Sequence, residues 1–289
     1  MLRYMAGNTR RTIKARVFGA ELRAAREASG LGLRGLAALL DTSHATVSRW
    51  ETGARRPGVA EVAAYLQAVR ASAEVRDRLL EIAGEPDAPR WLSIGMPEQP
   101  RQLATLLEIE RAATRITTVS PLLVPGLMQT ADYAREIMIA AEVPASEIDT
   151  RVAVRLGRRD AINRKKPAQL HAFVGELALR QEIGGDETMA DQLRELLKLA
   201  EQPNVELRVV PIRTGWHAGL EGPFVLVEFD DRDPVISIEN RVSAIYLDEP
   251  EDVSAYRAAL PRVEQVAMSP AESSSFIADI VKEREEQDA

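Results

Sequence analysis

The chain is 289 residues long and carries 37 Lys+Arg against 44 Asp+Glu, a formal net charge of −7. It holds no cysteine and only His44, His171 and His217 as histidines, which excludes disulfides, thiolate ligands, cysteine nucleophiles and a zinc site built on histidine. No apolar run approaches the roughly 20 residues of a membrane span, and residues 1–30 lack the apolar stretch of a secretion signal; a cytoplasmic protein without membrane, metal or cofactor is expected. The length fits two domains. Net acidity argues against a nucleic-acid partner, but the charge is divided. Residues 1–56 hold 11 basic and 4 acidic side chains, a balance of +7, while the other 233 residues hold 26 against 40, a balance of −14. A compact basic segment on an acidic body points to a nucleic-acid-binding end.

Arg10, Arg11, Lys14 and Arg16 lie in segment 1–16, which reads either as a basic arm along a DNA backbone or minor groove or as a plain tail. From 17 to 83 the pattern predicts an all-α domain of five helices. Val17, Leu22, Ala25 and Ala28 give the first an apolar stripe, and Gly30 stops it. A short second helix spans 33–40. Asp41-Thr42-Ser43 then makes a tight break, with Ser43 placed to cap a third helix, 44–51, by accepting from the amide of Thr46. Only Val47 and Trp50 on that helix are strongly apolar, and at a spacing of three they share a face. Gly53 ends it and Arg55-Arg56-Pro57 follows. Val59, Val62, Ala63 and Leu66, then Val75, Leu79 and Ile82, supply the fourth and fifth helices. A short helix, a tight turn and a helix held by two apolar residues is the construction a recognition helix needs. It rests on its partner while most of its surface stays free for the major groove.

Segment 18–57 resembles the Xre/Cro-type helix-turn-helix. The matches are Phe18-Gly19-x-x-Leu22-Arg23-x-x-Arg26-Glu27, Gly30-Leu31, Leu36-Ala37, Thr46-Val47-Ser48-Arg49-Trp50-Glu51, Gly53 and Arg56-Pro57. The family usually opens its second helix with a Ser/Thr cap and a phosphate-reaching Gln, where this chain has Gly32 and Leu33. Its turn usually carries Gly, where this chain has Asp41, a residue that tolerates a left-handed conformation. The resemblance implies double-stranded DNA as partner. Geometry and resemblance together make His44, Ala45, Ser48 and Arg49 candidates for base edges, with Arg49 able to pair bidentately with guanine. Ser43, Thr46, Arg55 and Arg56 flank that surface and are read as phosphate contacts that set register. One such helix reads a half-site, so a homodimer is expected.

The stretch 84–102, with four prolines and two glycines, reads as a linker. Segments 103–115, 130–141, 146–163, 186–201, 251–267 and 270–285 have helical patterns, and 117–124, 170–174, 205–210, 224–229, 235–238 and 244–247 read as strands. The last three strands are separated by turn residues, which predicts an antiparallel meander. Residues 103–289 are thus expected to form an α+β domain with a largely antiparallel sheet, serving regulation or interaction.

This half is similar to the C-terminal domain of unknown function that follows an Xre-type helix-turn-helix in many actinobacterial regulators. The similarity, over roughly 90–270, rests on Glu108-x-Glu110, Leu123-Val124-Pro125-Gly126-Leu127-x-Gln129-Thr130-x-x-Tyr133-Ala134, Arg155-x-x-Arg158-Arg159 and the strand Val205–Val210 with Pro211. At Arg159 the family more often has Gln. The resemblance implies an antitoxin-like regulator, often encoded beside a small protein of another family. Pro125, Gly126, Gln129 and Tyr133 form either a structural strand-to-helix turn or the lining of a pocket or partner groove. Gly215-Trp216-His217-Ala218-Gly219 is the most site-like loop, although turn geometry alone gathers such residues. Catalysis is not expected. Carboxylates two apart on a helix do not face each other, and there is no zinc-protease motif, phosphate-cradling loop or nucleophile elbow. The second domain is expected to bind a copy of itself, a small protein partner or a small-molecule effector.

Overall fold

The structure, a computed structural model, describes residues 13–84, 92–95, 100–239 and 243–287. The chain divides between Leu92 and Ser93 into two compact units. Among the described residues no helix is long and apolar enough to cross a membrane.

The first unit is five helices: α1 (Ile13–Ala28), α2 (Leu33–Leu39), α3 (His44–Glu51), α4 (Val59–Ala68) and α5 (Ala73–Gly84). The helical start at Ile13 takes the last four residues of the expected basic arm into α1; Arg10 and Arg11 lie outside the described residues. Spacing of apolar residues by three and four explains the shared core, in which Leu22, Leu36, Val47, Val62, Tyr65 and Leu79 are fully buried. The buried face of α1 runs through Phe18, Leu22 and Arg26 rather than through Ala28, which is exposed. Gly30 and Gly53 end α1 and α3 with φ of 74° and 68°, and Asp41 takes the left-handed turn with φ of 47°. Gly32, at the start of α2, supplies no side-chain cap. Leu33 packs against the core, where the related pattern places a polar residue.

The second unit is α+β. It contains the strands β1 (Leu92–Gly95), β2 (Arg115–Ser120), β3 (Gln169–Gly175), β4 (Val205–Val210), β5 (Phe224–Glu228), β6 (Val235–Glu239) and β7 (Ser243–Leu247). Six of them stand in the order β7-β6-β5-β2-β3-β4, with β1 beyond β7. The β5–β6–β7 meander is antiparallel, as the close spacing and turn residues require, and β5 also runs antiparallel to β2. On the other side, β2, β3 and β4 are parallel. Parallel neighbours need long crossovers. The first is α7 (Ala131–Ala140), α8 (Ala145–Gly157) and α9 (Asp160–Asn163); the second is α10 (Glu176–Arg180) and α11 (Gly185–Ala200). Ile116, Thr117, Thr118 and Val119 of central β2 are all buried, so both faces of the sheet are covered there. Helices α6 (Pro100–Ala112), α12 (Pro250–Val266) and α13 (Pro270–Gln287) complete the unit.

Three readings shift. The expected linker at 84–102 contains β1 and the opening of α6. The helix expected over 146–163 is broken at Arg158–Arg159 into α8 and α9. The extended run 117–124 ends as a strand at Ser120, where Pro121 has no N–H to give a ladder.

Candidate nucleic-acid interface

Local chemistry starts the recognition helix. The Ser43 hydroxyl accepts from the Thr46 amide at 3.0 Å and shares a further hydrogen bond with the Thr46 hydroxyl at 2.9 Å. The cap satisfies one of the four free amides of the first turn. At the other end Thr52 donates to the Ser48 carbonyl at 2.8 Å, and the Arg55 amide donates to the Arg49 carbonyl at 3.0 Å.

Tertiary contacts then fix the helix in place. Val47, Trp50 and Glu51 are buried. A Cβ on Gly19 would meet the Trp50 and Glu51 carbonyl oxygens at 2.5 and 2.7 Å, so glycine is what lets α1 pass directly over the end of α3. Beside this contact, Arg26 of α1 reaches Glu51 of α3 with two parallel hydrogen bonds, 2.7 and 2.9 Å, both groups buried. The Tyr65 hydroxyl of α4 lies 2.7 Å from the same carboxylate and 2.8 Å from the Leu22 carbonyl, able to donate to either. Burial first, then the adjacent carboxylate, push the Tyr65 phenol well above its usual range. Paired and hydrogen-bonded in this way, the charges are tolerated in a core. Two helices, α1 and α4, thereby grip the C-terminal turn of α3.

The outward face carries the expected residues. Ser43, His44, Ala45 and Arg49 are exposed, and Thr46 and Ser48 are half-buried. Arg49 therefore presents its guanidinium to solvent beside an exposed imidazole and a methyl, a set that can read guanine edges and the thymine methyl in a major groove. The two flanking arginines differ. Arg55 is exposed and pairs with Glu61 at 3.2 Å. Arg56 is half-buried and donates to the Ile82 carbonyl at 3.1 Å, which ties the post-helix segment to α5. Part of its donor capacity is thus spent inside the domain.

In the second unit the Pro125–Tyr133 run is folded around its own hydrogen bonds. Pro125, Gln129 and Tyr133 are buried and Gly126 is half-buried. Gln129 donates to the Val124 carbonyl at 2.8 Å and accepts from Arg155 at 3.0 Å, while the Val124 amide donates to the Tyr133 hydroxyl at 3.3 Å. Arg159 donates to the Gln129 carbonyl at 2.5 Å and pairs with Glu195 at 2.7 Å. Arg158 lies against Gly126 and forks onto Glu110; burial alone would lower its pKa, but that carboxylate raises it. Gln192 of α11, fully buried, accepts from the Thr130 amide at 2.7 Å and donates to the Met128 carbonyl at 2.9 Å. The polar side chains of the run are thus engaged with groups of its own unit. Sequence reasoning passed over Gln192 and Tyr65 and met Arg26 only as a motif residue without its pairing; the partners of all three lie 14 to 64 residues away. A polar residue at a core position of a helical stripe was the signal for each.

Trp216 and His217 point opposite ways. Trp216 is exposed; His217 is buried, its Nδ1 has no hydrogen-bond partner, and desolvation holds its pKa below the ordinary value. An open cleft of about 400 Å³ follows them, lined by Ala218, Glu221, Phe224, Ile238 and Tyr256, but includes neither.

Residues 17–79 match a family model described as a helix-turn-helix domain, and residues 103–279 match one described as a domain of unknown function, DUF5753. No curated protein matches the chain. Among solved structures it is similar to TrmBL2, titled as an archaeal chromatin protein with a novel mode of DNA binding. The identity is 12% and the TM-score 0.30, over 87% of this chain and 93% of that one, a likeness too remote to carry an argument.

Proposed function

The chain belongs to the DUF5753 family, and with a helix-turn-helix domain ahead of that domain we propose that it is a sequence-specific, DNA-binding transcriptional regulator of the Xre type. One observation carries the reading: α3 is gripped along one face by Val47, Trp50 and the Glu51–Arg26 pair while His44, Ala45 and Arg49 stay in solvent. A helix held that rigidly and left that bare on its outer side suits the major groove. The protein acts as a homodimer, because one helix of eight residues reads only a half-site. The DUF5753 domain serves assembly, in the manner of an antitoxin-like regulator, and performs no catalysis. An effector-binding role has less to rest on, since ligand sites usually enclose most of their ligand and the cleft beside Tyr256 is open.

The test is selection of bound fragments from genomic DNA, followed by footprinting. The expected result is a shared sequence with two protected half-sites related by two-fold symmetry and about 34 Å apart. Equal recovery of all fragments would remove sequence-specific recognition. One unsymmetrical footprint would remove the dimer.

A further inference from the structure

Among the described residues, six of the seven exposed large apolar side chains of the second unit gather at one end of its sheet. Among the described residues nine large apolar side chains stand well into solvent. Six of these, Leu122, Leu123, Leu177, Ile212, Trp216 and Leu220, lie just beyond the C-terminal ends of β2, β3 and β4. Register puts those ends side by side, Ser120 opposite Val174 and Gly175 opposite Val210. The loops that follow also touch. A Cβ on Gly175 would meet the Pro121 carbonyl oxygen at 2.3 Å, and the Ile212 amide donates to the Glu176 carboxylate at 3.1 Å. A Cβ on Gly219 would meet Val119 at 3.0 Å, so the segment bearing Trp216 and Leu220 is seated on the end of β2. The six side chains therefore stand on adjoining loops at one end of the sheet.

That surface is built the wrong way round for water. Trp216 is 64% and Leu220 61% exposed, while His217 between them is 4% exposed with an unpartnered ring nitrogen. Burying a polar group without a partner is unfavourable, and single exposed apolar residues are ordinary where a cluster is not.

We propose that this end of the sheet is where two copies of the chain associate; the proposal rests on the dimeric reading above and names the surface for it. Two features favour a second copy over a foreign partner. The first is area: six such side chains expose on the order of 600 Å² per copy, near the ~800 Å² each partner buries in a standard interface. The second is charge. Arg213 and Glu221 are both exposed and stand at opposite ends of the loop bearing Trp216 and Leu220; within the chain Arg213 acts on the Glu176 carboxylate and Glu221 on the Tyr256 phenol. A two-fold axis through the patch brings Arg213 of each copy to Glu221 of the other, the self-complementarity an isologous contact requires. The apolar cluster supplies affinity and the charges set register.

Sedimentation equilibrium of the full chain tests this. The wild type is expected to be dimeric at micromolar concentration. Trp216→Glu and Leu220→Glu, at sites already in solvent, are expected to keep the wild-type far-UV circular dichroism and to weaken dimerisation by about 30-fold or more, with a melting temperature lowered only by the lost association. Arg213→Glu and Glu221→Arg should each weaken it less, and the double reversal should restore it. A wild-type dimer untouched by all four substitutions overturns the surface while leaving a dimeric regulator in place. A wild-type monomer overturns both. Stoichiometric binding of a different small protein that Trp216→Glu abolishes, with the wild type otherwise monomeric, assigns the patch to that partner and also overturns the proposal. DNA binding is scored separately on a half-site, which a monomeric variant still recognises, so loss of the DNA reading is told apart from loss of the interface.

Discussion

Arg49 and Arg55 are both exposed arginines close to the end of α3, and their surroundings assign them different work. Arg49 lies on the outward face of the helix, where a guanidinium meets base edges. Arg55 follows the helix and already shares its charge with Glu61, the position of a group that meets phosphate. Arg49→Ala is expected to relax preference at one base position at a cost of ~1–3 kcal/mol. Arg55→Ala should weaken binding to all sequences alike and reduce the salt slope by about one. Binding of a selected operator and of scrambled DNA across a salt series separates them; if both variants match the wild type, the reading of α3 is wrong. His217 offers a second test at this scale. Burial holds its imidazole below the ordinary value, near 6.5 in the unfolded chain. As pH falls through ~6.5 the unfolded state takes up a proton that the native state refuses, so stability is full above that pH and declines below it, until the native imidazole is protonated too. The stability of wild type relative to His217→Leu should therefore fall between pH ~7.5 and ~5 in urea titrations, and a constant difference would contradict the burial. Residues whose roles are local were legible in the sequence: the Ser43 cap and the left-handed Asp41 depend only on neighbours a few positions away. Arg26, Tyr65 and Gln192 were not, because each is explained by a partner that only the folded chain brings near.

At the scale of elements, two close approaches decide whether the site holds its shape. Gly19 lets α1 lie on the terminal carbonyls of α3. Gly19→Ala should push the two helices apart, cost ~1–3 kcal/mol as overpacking does, and lower operator affinity by more than it lowers the melting temperature would suggest, since α3 itself is displaced. Calorimetry beside a binding titration checks this; a destabilised variant with unaltered affinity would free α3 from dependence on α1. In the second unit, Gln192→Leu strips partners from the half-buried Thr130 amide and the buried Met128 carbonyl. Each orphaned group costs ~1–3 kcal/mol, so a large loss in denaturant midpoint is expected, and a loss below about 1 kcal/mol would mean that water replaces the amide. The helices and strands themselves could be read from period and punctuation: the meander of β5, β6 and β7 follows from short turns between apolar runs. The parallel half could not. β2 meets β3 across a crossover of three helices, and pairing over such a distance leaves no local trace. For the same reason the chain gave no sign that Leu122, Leu177 and Ile212 stand together. They are neighbours only because three parallel strands end at one edge.

At the scale of the whole molecule the charge balance becomes a statement about ionic strength. The first 56 residues carry +7 and the remainder −14. Each phosphate neutralised contributes about 0.9 to the slope of log affinity against log salt. A dimer on a full operator engages two sets of cations, so its slope should be about twice that of Trp216→Glu on a half-site. The acidic remainder acts differently because its reach depends on screening. Near 0.1 M salt the screening length is about 10 Å, and a body held farther than that from the phosphates is hardly felt; near 0.01 M it is about 30 Å. Repulsion between body and DNA therefore grows as salt is withdrawn, against the gain from counterion release. The log–log plot for the full chain should flatten below roughly 0.03 M rather than stay straight. The same effect should be strongest on non-specific DNA, where no base contacts hold the protein in place. A plot that stays linear to the lowest salt, on operator and non-specific DNA alike, would mean that the acidic domain has no part in discrimination and that its charge serves other ends.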